Sequence, residues 1–197
     1  TDSFTDCQRE IMANDNERII THISNFREVK RIPDVIKIFY NIQKEIPAKL
    51  MMVGEGPEKE GAEQLVEELG IRERVIFLGN SNEIDKILCF SDLFLLPSQT
   101  ESFGLAALEA MASGVPVISS NTGGLPEVNM HGVSGFLSDV ADVEAMTKNA
   151  LYILSDEDRL QAFKDNARKE SLKFDLHAIV PQYEAIYEAT LAKCLVQ

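Results

Sequence analysis

Long apolar runs are missing from this 197-residue sequence. None approaches the ~18–20 residues that cross a bilayer, so membrane association is not indicated. The opening stretch, TDSFTDCQRE, is polar and carries no secretory signal. Cysteine is scarce: Cys7, Cys89 and Cys194 are odd in number and far apart, with no CxxC pair and no Cys/His ligand spacing. Neither a zinc site nor a disulfide framework is indicated, and free thiols in a reducing cytoplasm are expected. The three histidines, His22, His131 and His177, stand alone and read as structural or exposed rather than catalytic. Basic residues are in deficit, 19 against 32 acidic ones, for a net charge of −13. That balance describes a solvated acidic surface and disfavours nucleic acid or an anionic membrane as partner. A phosphate ligand stays possible, because backbone N–H groups and one or two cations suffice to build its site.

What is present is an alternation of short β-branched runs with longer amphipathic ones. Strands are expected at Arg18–Ser24, Lys49–Val53, Val75–Leu78, Leu93–Leu96, Val115–Ser119 and Gly135–Leu137. Helices are expected at Pro33–Glu45, Pro57–Leu69, Glu83–Phe90 and Phe103–Ala112, and from Asp142 to about Leu195. Residues 1–17 read as a polar lead-in or interdomain connection, and 18–197 as one domain. Thr1 is not a natural start, so a piece of a longer chain is expected. Continuous apolar strands alternating with helices imply an α/β fold: a Rossmann-like, doubly wound, mostly parallel sheet covered on both faces.

Ligands of such sheets bind at the carboxyl ends of the strands. Five loops therefore matter: Asn25–Arg31, Gly54–Pro57, Gly79–Asn82, Ser98–Gly104 and Asn121–Gly124. The sharpest feature lies in and after the fourth, where Glu101 and Glu109 stand eight positions apart around Ser102-Phe103-Gly104-Leu105. A helix starting there would offer free N–H groups and its dipole to an anion. A carboxylate repels a diphosphate, so these two are useful only against neutral hydroxyls: a ribose diol for Glu109, a sugar hydroxyl for Glu101. The structural alternative makes Glu101 a helix cap and leaves Glu109 solvated.

The segment resembles the E-x7-E signature of the family-4 retaining glycosyltransferases, which have the GT-B fold. The resemblance extends to Gly54-Glu55-Gly56-Pro57, Val75-Ile76-Phe77-Leu78-Gly79 and Ser91-Asp92-Leu93-Phe94-Leu95-Leu96-Pro97-Ser98. It continues through Glu109-Ala110-Met111-Ala112-Ser113-Gly114-Val115-Pro116-Val117-Ile118, Gly123-Gly124-Leu125-Pro126-Glu127-Val128 and His131-Gly132-Val133-Ser134-Gly135-Phe136-Leu137, in family order.

The resemblance implies that this is the donor-binding C-terminal domain. Glu101 would contact the transferred sugar and Glu109 the ribose. Backbone around Ser102, Phe103, Gly104 and Leu105 would hold the diphosphate, together with Lys30. Asn25 and Gly54 would line the donor site, and Gly79 and Asn80 would cradle the base. One departure stands out: the family commonly has Gly-Arg after the first strand, and this chain has Ser24-Asn25. Arg27 could supply the missing charge; pointing to solvent, it would leave Lys30 to work alone. No Asp-x-Asp metal motif is expected anywhere in the chain, and donor binding without a metal or other cofactor is expected.

The Ser24-Asn25-Phe26-Arg27-x-x-Lys30-Arg31 variant, with Glu101-Ser102-Phe103-Gly104-Leu105, looks like the family branch that moves N-acetylglucosamine from UDP to L-malate. Other family-4 donors and acceptors, a GT-B-like UDP-sugar epimerase and a non-catalytic nucleotide-binding module remain open. The acceptor domain is N-terminal in the family and absent here, so the chain alone is expected to be inactive. The last helix, Pro181–Leu195, could pack on its own domain or leave a face of Ile186, Ala189 and Ala192 for the absent one.

Overall fold

A computed structural model describes residues 13–14 and 16–194. The apolar runs form six strands: β1 (Arg18–Ile23), β2 (Ala48–Val53), β3 (Val75–Gly79), β4 (Leu93–Leu96), β5 (Val117–Ser120) and β6 (Gly135–Ser138). They pair in parallel in the order β3-β2-β1-β4-β5-β6. All four residues of β4 are buried. Both faces of the sheet are covered there, which is why the strand reads as an unbroken apolar run rather than an alternating one.

Eight helices follow among the described residues: α1 (Ile32–Glu45), α2 (Lys59–Glu68), α3 (Ile84–Cys89), α4 (Leu105–Ala112), α5 (Leu125–Val128), α6 (Val143–Leu154), α7 (Glu157–Ser171) and α8 (Leu176–Cys194). Pro33 is the second residue of α1, where a missing N–H costs nothing. Val35, Ile36, Phe39 and Ile42 of α1 are fully buried in the main core with Ile20 and Leu50 of the sheet. Each such side chain contributes on the order of 1.5–3 kcal/mol. Asp142 and Asp156 cap α6 and α7 through the N–H groups of Ala145 and Arg159. Asp92 is buried: its carboxylate accepts from the Ile19 N–H (2.9 Å) and from Lys164 of α7 (2.8 Å), pinning the start of β1 to that helix.

The doubly wound, Rossmann-like α/β architecture is the one expected. Most boundaries shift by one or two residues from those expected, and the helical stretch after Asp142 is divided into α6, α7 and α8, the last starting at Leu176 with Pro181 inside it. Two of the shifts have a plain local reason. Helix α4 starts at Leu105 and not Phe103, because Gly104 takes φ +98° immediately before it. Strand β5 starts at Val117 and not Val115, because the Gly114 and Val115 N–H groups close the end of α4 onto Met111 and Ala110. The expectation of free thiols fails at Cys89, which is disulfide-bonded; sequence spacing does not reveal which cysteines a fold brings together. Most of the lead-in 1–17 lies outside the described residues. In α8, Leu176, Tyr183, Ile186, Tyr187 and Leu191 are exposed. That helix is thus not buried against its own domain over these residues; the side chains of Ala189 and Ala192 lie outside the described ones. No described helix is long and apolar enough to cross a membrane.

The winding runs outward from β1 through β2 to β3, and in the other direction from β4 to β6. The loops after β1 and β4 therefore diverge, opening a crevice at the carboxyl ends of those two strands.

Candidate functional site

A cleft of about 660 Å³ occupies that crevice. The loop after β1 supplies Ser24, Asn25 and Lys30; the turn after β2 supplies Gly54; the loop after β3 supplies Asn80, Ser81 and Asn82. The segment after β4 supplies Glu101, Ser102, Phe103, Gly104, Leu105, Ala106 and Glu109. Of the residues singled out from sequence, only Gly79 and Arg27 do not line it. Gly79 is structural: its carbonyl accepts the Gly54 N–H at 2.8 Å. Arg27 is exposed and precedes the 3₁₀ turn Glu28–Lys30, which brings Lys30 and not Arg27 to the cleft. Ser81 and Asn82 were legible only as neighbours of Asn80 in a loop after a strand. Ile23, Val53, Ile84 and Ala106, which also line the cleft, carry no sequence signal beyond their place beside those loops.

Lys30 and Glu101 meet across the floor of the cleft. Their ammonium and carboxylate lie 2.5 Å apart, with side chains 19% and 16% exposed. Ser98 Oγ donates to the same carboxylate oxygen at 3.4 Å. The two loops are tied by their backbones, Gln99 N–H donating to Val29 C=O at 2.8 Å. The next residue, Arg31, adopts the left-handed conformation at φ 52° and pairs with Asp34 at 2.5 Å. On the other side, Gly124 N–H donates to the Glu101 carbonyl at 3.0 Å. A Cβ at Gly123 would stand 1.8 Å from that same carbonyl oxygen, so only glycine lets the loop after β5 brace the loop after β4. Glu101 is therefore an ion-pair partner inside the cleft, and the helix-cap alternative does not hold: the residue preceding α4 is Gly104, which has no capping side chain.

With no cap, the first-turn N–H groups of α4 are available to an anion, and the dipole favours one. Gly104, Leu105 and Ala106 all line the cleft. Glu109, one turn further along α4, is exposed at the rim. Phe103 is half-buried and packs edge-on against Phe174, with ring centroids 5.7 Å apart.

Behind the cleft, His22 is completely buried. The described β1–β4 ladder ends at Thr21 and Phe94. Beyond it, His22 Nδ1 reaches the Leu95 carbonyl at 2.8 Å, while Nε2 meets Ser24 Oγ at 2.8 Å. Burial pushes the imidazole down to about 4, and the charge of Lys30 adds to this, against the opposing hydrogen bond to Leu95. His22 is thus neutral at physiological pH.

No group of three or more His, Cys, Asp or Glu able to hold a metal stands together among the described residues. The expectation of no Asp-x-Asp fails at Asp156-Glu157-Asp158, but that stretch opens α7, where Asp156 caps the helix. A second cleft, of about 810 Å³, lies between the end of α1 and α6 around Lys44, Thr147 and Lys148. Although larger, it sits where α1 leads into β2, at the amino ends of the strands, away from the switch point.

A family profile described as "Glycosyl transferases group 1" matches residues 4–170. The chain belongs to this family. It is 45% identical over 185 residues to N-acetyl-alpha-D-glucosaminyl L-malate synthase of Bacillus anthracis, covering 93% of this chain and 49% of that one. Among solved structures it superposes on Anabaena HepE in complex with UDP and glucose, with TM-score 0.84, 25% identity, 95% of this chain and 52% of the other. A sucrose-phosphate synthase from Thermosynechococcus elongatus gives TM-score 0.83 and 27% identity, covering 95% and 49%. This glycosyltransferase chain spans about half the length of the curated relatives it matches.

Proposed function

We propose that this chain is the donor-binding half of a retaining glycosyltransferase that moves N-acetylglucosamine from UDP to a hydroxyl of L-malate. The observation that carries the reading is the content of the switch-point cleft. One cation, one uncapped helix N-terminus and two carboxylates eight positions apart surround a space the size of a nucleotide sugar. The diphosphate lies at the start of α4 and against Lys30, Glu109 takes the ribose diol, and Glu101 takes a sugar hydroxyl. Asn80, Ser81 and Asn82 take the base. As the bond to the diphosphate breaks, Lys30 and the α4 N–H groups stabilise the charge that develops on the leaving group. No metal is needed in this scheme. Arg27 is left out of it.

The donor and acceptor rest on the 45% identity to the malate synthase. The family match favours transfer over an epimerase or a non-catalytic module. The acceptor is held by an N-terminal half, which also covers the exposed face of α8. Cytoplasmic location is part of the proposal. The Cys89 disulfide stands against it, and counting free thiols on protein taken directly from cells decides the point.

The test is calorimetric titration of the chain with UDP, GDP and ADP in EDTA. Selective UDP binding, weakened at least about tenfold by Lys30→Ala and by Glu109→Ala, is expected. Preference for GDP or ADP would discard the UDP-sugar branch. Binding that requires added Mg²⁺ would sink the metal-free scheme.

A further inference from the structure

The departure after β1, Ser24-Asn25 in place of Gly-Arg, acquires a chemical meaning from what lies behind it. The Leu95 carbonyl can only accept, so His22 Nδ1 carries the proton and donates to it. Neutral His22 then has a bare Nε2, which can only accept. Ser24 Oγ, 2.8 Å away, must be the donor in that contact. The hydroxyl has one proton, and it is committed inward. What Ser24 presents to the cleft it lines is lone pairs alone.

We propose that Ser24, held in this polarity by His22, is a specificity-determining residue that accepts a hydrogen bond from an O–H or amide N–H of the transferred sugar. The inference rests on the donor-site reading above and deepens it. A diphosphate oxygen has no proton to offer and is repelled by an oxygen lone pair, so Ser24 cannot serve the phosphates in this state. Ser24 belongs to the same loop as Lys30, whose charge is felt by His22 and whose ammonium holds Glu101. The Ser24 backbone sits against the turn after β2, its N–H donating to Val53 C=O at 3.0 Å. Its hydroxyl, however, is turned toward β4 through His22 and Leu95, the strand from which the Glu101 loop leaves, which sets it at the sugar and phosphate end of the cleft. Of the two groups there, only the sugar carries donors. His22 is a positioning residue: it never reaches the ligand but decides which way the hydroxyl points. A glycine at 24 would offer the sugar nothing, and an outward-donating serine would serve phosphate instead.

The test compares UDP with UDP-N-acetylglucosamine as calorimetric ligands for the wild-type chain, Ser24→Ala, Ser24→Thr and His22→Asn, with circular dichroism to confirm that each is folded. Ser24→Ala is expected to lose about 3–10-fold in affinity for the sugar nucleotide and less than about twofold for UDP. Ser24→Thr, which keeps the hydroxyl, retains the wild-type ratio. His22→Asn keeps a donor for Leu95 but removes the acceptor, so it lowers the ratio of the two affinities although Ser24 is intact. A merely structural role would weaken both ligands together, and that outcome, or an unchanged ratio in Ser24→Ala, overturns the proposal while leaving the donor site standing. Failure of the folded wild-type chain to bind either ligand overturns the donor-site reading and this inference with it.

Discussion

Lys30 and Glu101 neutralise each other at 2.5 Å in the cleft, so in the proposed scheme a diphosphate competes with a carboxylate for the same ammonium. Opposite consequences follow for the two side chains. Glu101→Gln removes a charge that repels the phosphates and releases Lys30; UDP should bind about 3–10-fold tighter by calorimetry, even as sugar transfer by the full-length protein is lost. Lys30→Ala strips the cation and leaves Glu101 uncompensated, and UDP affinity should fall. If both substitutions weaken UDP alike, the pair is a structural strut rather than a phosphate device. His22 gives a second residue-scale prediction. Its folded pKa, about 4, lies below the ordinary 6.5. Between those values the unfolded chain takes up a proton that the folded chain refuses, so stability is full above pH 6.5 and falls as pH drops towards 4. The loss reaches about 3 kcal/mol at ~1.36 kcal/mol per unit. Urea midpoints at pH 7 and pH 5 should separate in the wild-type chain and separate less in His22→Asn; parallel behaviour would rule out His22 as the source.

At the scale of elements, the cleft depends on loops bracing loops. Gly123 touches the Glu101 carbonyl at a distance no Cβ allows and adopts φ +55°. Gly123→Ala should therefore cost about 2–4 kcal/mol and displace the Glu101 loop, so that thermal stability and UDP affinity fall together. A variant that binds UDP normally would show the brace to be dispensable. The six strands were legible because each is a short apolar run ended by a glycine, proline or polar loop. The cleft was legible because ligands of a doubly wound sheet gather after its strands: Asn25, Gly54, Asn80 and the Glu101–Glu109 segment were all found that way. Pairings across long sequence separations were not. Lys30 and Glu101 are 71 residues apart, and His22 and Leu95 are 73. Neither contact leaves a periodic trace, and an isolated histidine within a strand looks inert until its partners are seen. Of the two expectations for Arg27, the structure has the solvent-exposed one, because proximity in sequence to Lys30 says nothing about which side of a 3₁₀ turn faces the cleft.

For the molecule as a whole, the relevant fact is length. The chain spans about half the length of its curated relatives, and in the proposed reading the cleft at the carboxyl ends of β1 and β4 holds the donor while the acceptor is held by an N-terminal half. Mixing the chain with UDP-N-acetylglucosamine and L-malate should release no UDP above background, whereas the same chain joined to the N-terminal half of its own protein should turn over; robust transfer by the chain alone would contradict the division of labour. The central claim, that the switch-point cleft is where the nucleotide sits, is tested most directly by titrating isotope-labelled chain with UDP in EDTA and following backbone amide NMR shifts. The account predicts the largest changes at Lys30, Asn80 to Asn82, Leu105, Ala106 and Glu109. Changes centred instead on Lys44, Thr147 and Lys148, around the larger cleft at the opposite end of the strands, would contradict it.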